Sequence, residues 1–271
     1  MTGPGSHARY RARVAYVGTW FRGFQFQKNA PRTVQAVLEK AFATFAAGPV
    51  RVHAAGRTDA GVHADGQVIH FDLDPPRDPM RIRDGVNALL PWDVKLVEVA
   101  PAPEGFLARR DALWKEYLYR WSRAPVISPR DALFVAPIAE NADAAPMRRA
   151  AASLAGRRDF SVFGVQSGRA ETGEREVRLA RVEERGLEIR VLLRGDAFLR
   201  GMVRSICGVL AHVGRAKAPP ERIAQLLETG DRSLLAPKAP ACGLTLVRVA
   251  YAGDVDGEAG NGKRETEGRE A

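Results

Sequence analysis

The feature that most constrains this chain is a pair of β-type segments with almost nothing between them. Residues 177–184 and 187–193 are separated only by Arg185 and Gly186, which is the composition of a tight turn. Two strands joined so closely lie antiparallel, because a parallel pair needs a long crossover connection. The sequence therefore predicts a fold whose sheets are mainly antiparallel.

Helical periodicity alternates with strand patterns along the chain. Behind Thr33, which can cap a helix, apolar side chains recur at the spacing of one helix face: Val34, Val37, Leu38, Ala41, Phe42 and Phe45. Further helices are predicted near residues 79–90, 144–154, 198–213 and 219–228. Further strands are predicted near residues 11–16, 50–55, 68–73, 94–99, 114–121 and 244–251. The fold class is therefore α/β (α+β), with similar strand and helix content in its two halves.

The best candidate linker is residues 101–105, Pro-Ala-Pro-Glu-Gly, which lies between the two patterned halves. It predicts an N-terminal α/β domain over residues 1–105 and a C-terminal α/β domain over residues 106–252. Residues 253–271 are polar, Gly-rich and without periodicity, so we expect a disordered tail there.

The charge of the chain favours an anionic partner. It has 41 Lys and Arg against 32 Asp and Glu, a net charge of +9. Residues 253–271 contain six acids and three bases, a net charge of −3, which leaves +12 on the rest of the chain. A body this basic favours nucleic acid, because binding to phosphates releases counterions. A solvated basic surface would explain the same composition.

Other features predict a protein of the cytoplasm. No segment has the roughly 18 consecutive apolar residues of a membrane span, and residues 1–13 lack the apolar core of a signal peptide. The two cysteines, Cys207 and Cys242, fit no paired metal spacing, so we expect reduced thiols.

A carboxylate framed by glycines is the strongest candidate for a catalytic group. Asp59 lies between Gly56 and Gly61 in a loop predicted between two strands, and Arg57 precedes it by two residues. Glycine permits backbone conformations closed to other residues and lets a large ligand approach the chain. From the residues alone, the alternative is an aspartate that only caps a turn.

The segment around Asp59 also carries a family resemblance. Residues 56–64, Gly-Arg-Thr-Asp-Ala-Gly-Val-His-Ala, resemble the signature loop of the tRNA pseudouridine synthase A family. Further segments resemble that family in the same order, at residues 66–71, 86–91, 106–109, 115–119, 198–204 and 239–244. The resemblance covers about residues 12–251. It implies the pseudouridine synthase fold, in which two α/β domains meet at an RNA-binding cleft.

Two positions depart from the usual pattern of the family. Val17 follows Tyr16 where the family usually has Asp, and Phe24 precedes Gln25 where it usually has Trp. Both lie outside the catalytic loop, so they bear on the contacts with tRNA and not on the reaction.

The resemblance implies an isomerase that converts uridine to pseudouridine in the tRNA anticodon arm, at positions 38, 39 and 40. It makes Asp59 the catalytic nucleophile and Arg204 its salt-bridge partner. Arg57 would hold the flipped nucleotide, Tyr117 would stack on the target uridine, and Arg109 would face the RNA. Whether Asp59 attacks the sugar C1′ or removes the 2′ proton stays open. The reaction needs no cofactor, and the resemblance implies a homodimer.

Several alternatives stay open from the residues. Without the resemblance, Tyr117 would be an ordinary strand aromatic and Arg204 a surface arginine. A catalytically silent tRNA-binding protein of the same fold, or a synthase for another uridine position, would share the motifs. Four side chains that could bind a metal suggest a metal-dependent hydrolase as an alternative: His53, His63, His70 and Asp65. Their spacing matches no metal signature, so we expect no metal site.

Overall fold

Residue patterns become strands and helices much as expected in the part of the chain that the structure describes. The structure is a computed structural model that describes residues 8–30, 32–165 and 172–254. The predicted tail lies outside the described residues from residue 255 onward.

The N-terminal half consists of β1 (Ala8–Tyr16), α1 (Val34–Ala46), β2 (His53–Ala54), β3 (His63–Leu73), α2 (Pro79–Leu89) and β4 (Val94–Pro101). The predicted helix cap is confirmed, because the Thr33 side chain accepts a hydrogen bond from the Ala36 N–H at 3.3 Å. Asp78 caps α2 in the same way, with Pro79 in the first turn. The strand predicted over residues 50–55 is only two residues long, whereas β3 begins earlier than predicted.

The C-terminal half consists of β5 (Trp114–Ser122), β6 (Ala136–Pro137), α3 (Ala144–Ala152), β7 (Gly156–Asp159), β8 (Glu174–Arg185), β9 (Glu188–Gly195), α4 (Met202–Gly214), α5 (Arg222–Thr229) and β10 (Leu244–Ala250). The predicted hairpin is confirmed: Arg185 pairs with Glu188 across a turn in which Gly186 has a φ of +60°. The prediction that Phe198 belongs to the long helix is wrong, because α4 begins after Gly201, whose φ is +76°.

One sheet runs through both halves. Its strand order is β4-β1-β3-β10-β5-β9-β8-β7, with β2 beside β3 and β6 beside β5. The described strand pairs are antiparallel except β3–β10 and β5–β6, so the prediction of a mainly antiparallel fold is confirmed. β10 and β2 pair with different parts of the same edge of β3. The division into two domains at residue 105 stays a prediction, and β3 and β10 are where the two halves join.

Helices pack with the sheet and bury its apolar side chains. α1 contacts α2 in the N-terminal half, while α3, α4 and α5 contact one another in the C-terminal half. In α4, ten of the thirteen residues are buried, including Ile206 and Cys207 at 0 % exposure. The polar side chains that α4 carries are therefore held in fixed positions. In the described part of the chain, no helix has the length and apolar character to cross a membrane.

Candidate active site

Asp59 lies in the loop between β2 and β3, and backbone hydrogen bonds hold that loop in place. The Phe24 N–H donates to the Thr58 carbonyl at 3.1 Å, and the Gly61 N–H donates to the Phe21 carbonyl at 3.3 Å. Gly61 has a φ of +80°, a left-handed conformation that favours glycine. Asp59 therefore sits on a fixed turn, with its side chain 28 % exposed.

Three buried polar side chains support this loop from the core; we call Tyr16, Thr58 and Gln67 the loop platform. Tyr16 Oη and Thr58 Oγ1 are hydrogen-bonded at 2.9 Å, and Gln67 Nε2 donates to the Gly56 carbonyl at 2.8 Å. Burial raises the pKa of Tyr16 to about 12, so its hydroxyl stays protonated at neutral pH. The roles of Tyr16 and Gln67 were not predicted from the sequence. The available signal was a glutamine in β3 directly before the apolar pair Val68 and Ile69.

Arg204 reaches the same loop from α4. Its Nη1 lies 3.2 Å from Asp59 Oδ2, and its Nε donates to the Ala239 carbonyl at 2.9 Å. The Arg204 and Asp59 side chains are 22 % and 28 % exposed, so water screens the pair and its direct contribution to stability is small. Because the second hydrogen bond fixes the guanidinium plane, the main effect of the pair is to orient the carboxylate. The contact implied by the resemblance is present, and its catalytic role stays a prediction.

Asp59 and Arg204 line a cavity of about 720 Å³. Its wall includes β2, the Asp59 loop, residues of β5 and residues 197–204. Seven basic side chains line it: Arg51, Arg57, Arg109, Arg110, Lys115, Arg200 and Arg204. Among the described residues of that lining, Asp59 is the one acid. A cavity with this charge favours an anionic ligand, such as a nucleic acid with its phosphates.

Tyr117 adds an aromatic surface to the cavity. It is 7 % exposed and packs edge-to-face on Phe198, with 5.2 Å between ring centroids and 84° between planes. Burial raises the pKa of Tyr117 above its ordinary value, so its hydroxyl stays neutral. Arg57 is exposed on the loop, and Arg109 lines the cavity too. All five predicted site residues thus meet at one cavity, and their roles toward a nucleotide stay predictions.

Two of the three histidines near the Asp59 loop accept hydrogen bonds from the backbone. His63 Nδ1 accepts a hydrogen bond from the Gly18 N–H, and His70 Nδ1 accepts one from the Ala108 N–H, both at 3.1 Å. Burial lowers the pKa of both rings, that of His70 to about 4, so both are neutral at pH 7. His53 stacks on His70. No group of three or more His, Cys, Asp or Glu side chains is placed to hold a metal within the described residues.

The helices and the mainly antiparallel sheet, with a basic cavity around one carboxylate, correspond to the pseudouridine synthase fold. A family model described as tRNA pseudouridine synthase matches residues 12–109 and 150–252. The chain belongs to the tRNA pseudouridine synthase family.

Curated relatives match over nearly their whole length. The tRNA pseudouridine synthase A of Thermus thermophilus is 42 % identical over 240 residues, which are 87 % of this chain and 94 % of that protein. The protein of the same name from Syntrophotalea carbinolica is 40 % identical over 242 residues, 89 % of this chain and 96 % of that protein. The one from Methylobacterium nodulans is 42 % identical over 246 residues, 90 % of this chain and 96 % of that protein.

Proposed function

We propose that this chain converts uridine to pseudouridine in the anticodon stem-loop of tRNA, at positions 38, 39 and 40. The observation that carries the proposal is the ion-paired carboxylate of Asp59 in a cavity lined by seven basic side chains. Family membership supports the reaction, and the tRNA pseudouridine synthase A relatives support the substrate.

The reaction needs little from the protein beyond a placed carboxylate. Uridine and pseudouridine are isomers, so the C1′–N1 bond breaks and a C1′–C5 bond forms without net oxidation. In the proposed mechanism Asp59 Oδ bonds to C1′, and uracil leaves with the electron pair on N1. After the base rotates, C5 bonds to C1′ and the carboxylate is released, while C5 loses a proton and N1 gains one. The alternative first step, removal of the 2′ proton, uses the same carboxylate as a base.

The target uridine has to leave its base stack before Asp59 can reach it. Stacking on an aromatic ring is worth about 1–3 kcal/mol per base, and Tyr117 offers such a ring in the cavity. Arg57, two residues from Asp59, offers a cation to the flipped nucleotide, and Arg109 offers one to the RNA backbone.

The protein is further proposed to act in the cytoplasm as a homodimer, with the RNA reaching both subunits. This assembly rests on the family resemblance. An exposed ring pair, Trp20 and Trp92, offers an apolar surface for contact, with 5.3 Å between centroids and side chains 48 % and 69 % exposed. Light scattering on the pure protein tests the assembly, and a monomeric mass would overturn it.

The deciding experiment replaces the carboxylate. Asp59→Ala should reduce pseudouridine formation in an anticodon stem-loop by at least about 10⁴-fold, as expected when a nucleophile is lost. Its affinity for the RNA should change little, because the basic lining is intact. Asp65→Asn is the matched control, since it removes an exposed carboxylate from the same sequence run outside the cavity lining.

Each of three outcomes would overturn a different part of the proposal. Turnover by Asp59→Ala close to that of the control would overturn the role of Asp59. Pseudouridine mapped to other positions of the tRNA would overturn the assignment to 38, 39 and 40. Wild-type protein that binds the RNA without turnover would be the catalytically silent alternative.

A further inference from the structure

The cavity continues past the Asp59 loop to a second flat ring. His53, the first residue of β2, is exposed and lines the cavity. Its ring stacks on His70 with 4.8 Å between centroids and 16° between planes. Since His70 covers one face of the His53 ring, the opposite face is the one on which a ligand ring would stack. The cavity wall therefore presents a second planar surface six residues before Asp59.

His70 holds this ring in position. The two residues lie directly opposite each other in the β2–β3 pairing, which aligns their rings. His70 is 5 % exposed, and its Nδ1 is fixed by the Ala108 N–H. Burial keeps His70 neutral at pH 7, so His53 rests on an uncharged support.

Arginines line the same cavity as the His53 ring. Arg51 and His53 are exposed while Val52 between them is 1 % exposed, the alternation of an extended chain, so Arg51 and His53 project to the same side. Arg109 and Arg110 line the same cavity. Their loop is tied to the ring pair through the hydrogen bond between Ala108 and His70. A flat ring with cations beside it is how proteins hold single-stranded RNA.

We propose that His53, Arg51, Arg109 and Arg110 form a second nucleotide subsite, which takes a nucleotide adjacent to the target uridine in the same RNA strand. Its base stacks on the open face of His53, and its phosphate pairs with the arginines, with Arg51 and Arg110 exchanging their contacts to Glu39 and Asp111 for it. The subsite rests on the proposed function, because a strand that places a uridine at Asp59 has to continue along this cavity. The subsite explains why the basic lining of the cavity extends beyond the reacting atoms as far as Arg51.

The test combines protein and RNA substitutions. An anticodon stem-loop is made with the base removed at the 5′ or at the 3′ neighbour of the target uridine, and dissociation constants are measured for each RNA. For the wild type, one of the two abasic RNAs should bind about 5- to 150-fold more weakly than the intact RNA, which is the effect of one lost base stack. His53→Ala should bind the intact RNA as weakly as the wild type binds that abasic RNA. Removal of the base should then weaken binding by His53→Ala no further.

Two further variants separate the subsite from a structural role of the histidine. His53→Tyr keeps a ring and should restore the wild-type affinity, whereas His212→Ala, outside the cavity lining, should leave binding unchanged. Equal losses on the abasic RNA in the wild type and in His53→Ala would overturn the subsite, as would wild-type affinity of His53→Ala for the intact RNA. Failure of the proposed function is distinguishable, since it appears as an absence of pseudouridine from the intact RNA with the wild type.

Discussion

The two ends of the cavity are constructed differently. At the Asp59 end, the carboxylate lies on a turn that the loop platform supports with directional hydrogen bonds, and the Arg204 guanidinium reaches it from α4. At the His53 end, two stacked rings are held by cross-strand pairing and one backbone N–H. Single atoms matter at the first end, whereas ring area matters at the second. Catalysis and RNA binding are therefore separable in this cavity. Substitutions at the Asp59 end should change kcat, and substitutions at the His53 end should change the affinity for RNA.

Among substitutions that leave Asp59 in place, the largest effect is expected from its ion-pair partner Arg204. Arg204→Ala removes a hydrogen bond to a charged group, worth about 1.5–3 kcal/mol, so kcat/KM should fall about 10- to 150-fold. Arg204→Lys should lie between this variant and the wild type, because lysine keeps the charge but cannot hold Asp59 and the Ala239 carbonyl in one plane. Steady-state kinetics on an anticodon stem-loop measures both. A loss below twofold for Arg204→Ala would remove the orienting role.

A smaller effect is expected beneath the loop. Tyr16→Phe removes the hydrogen bond to Thr58, worth about 0.5–1.5 kcal/mol, so kcat should fall about 2- to 10-fold while KM is unchanged. Tyr10→Phe is the matched control: Tyr10 is another buried tyrosine of β1, and its hydroxyl bonds to the Arg77 backbone away from the cavity lining. Equal kcat values for the two variants would show that the loop platform does not position Asp59.

The salt dependence of RNA binding, measured together with kcat, should distinguish arginines at the two ends of the cavity. Loss of one phosphate contact reduces the slope of log affinity against log salt by about 0.7 for single-stranded RNA. Arg51→Ala should show this reduced slope with kcat unchanged. Arg57→Ala, beside Asp59, should show the reduced slope and a lower kcat. If Arg51→Ala lowers kcat as strongly as Arg57→Ala does, RNA binding and catalysis are not separable in this cavity.

The last prediction concerns stability and not activity, through the pH dependence of unfolding at the His53 end. The pKa of His70 is about 4 in the folded protein against an ordinary value of 6.5. Between these values the unfolded chain binds a proton that the folded protein does not, so the free energy of unfolding decreases as the pH falls from 6.5 toward 4. His70→Gln should show a shallower decrease than the wild type in urea denaturation between pH 7 and pH 5. Parallel curves of unfolding free energy against pH for the two proteins would contradict the lowered pKa of His70.

Much of this fold was predictable from local patterns. Thr33 begins α1 as its capping chemistry requires, and the hairpin turn at Gly186 follows from two strand patterns set close together. The strands β6 and β7 were not predicted, because two and four residues without apolar alternation carry no periodic signal. Phe198 fits the helix period, but it lies before α4 and packs on Tyr117.

The site was predictable only in part, because much of it depends on contacts between distant segments. The position of Asp59 followed from its glycine frame, but Arg204 and Tyr117 came from the family resemblance, since nothing local marks a partner 145 residues away. The loop platform and the His53–His70 stack arise from strand pairing that no single segment specifies. A weak signal existed at Gly66, where a Cβ would overlap the Val247 carbonyl of β10.

The pairing of Thr245 with His63 has a consequence for the newly synthesised chain. Because translation proceeds from the N-terminus, β3 leaves the ribosome with the edge later taken by β10 still open. Ala239, whose carbonyl holds the Arg204 guanidinium, also emerges late. The Asp59–Arg204 ion pair can therefore reach its final geometry only after nearly all of the described sequence has been translated. A prematurely terminated chain that ends before Ala239 would lack the carbonyl that holds the Arg204 guanidinium, even if its N-terminal strands had folded.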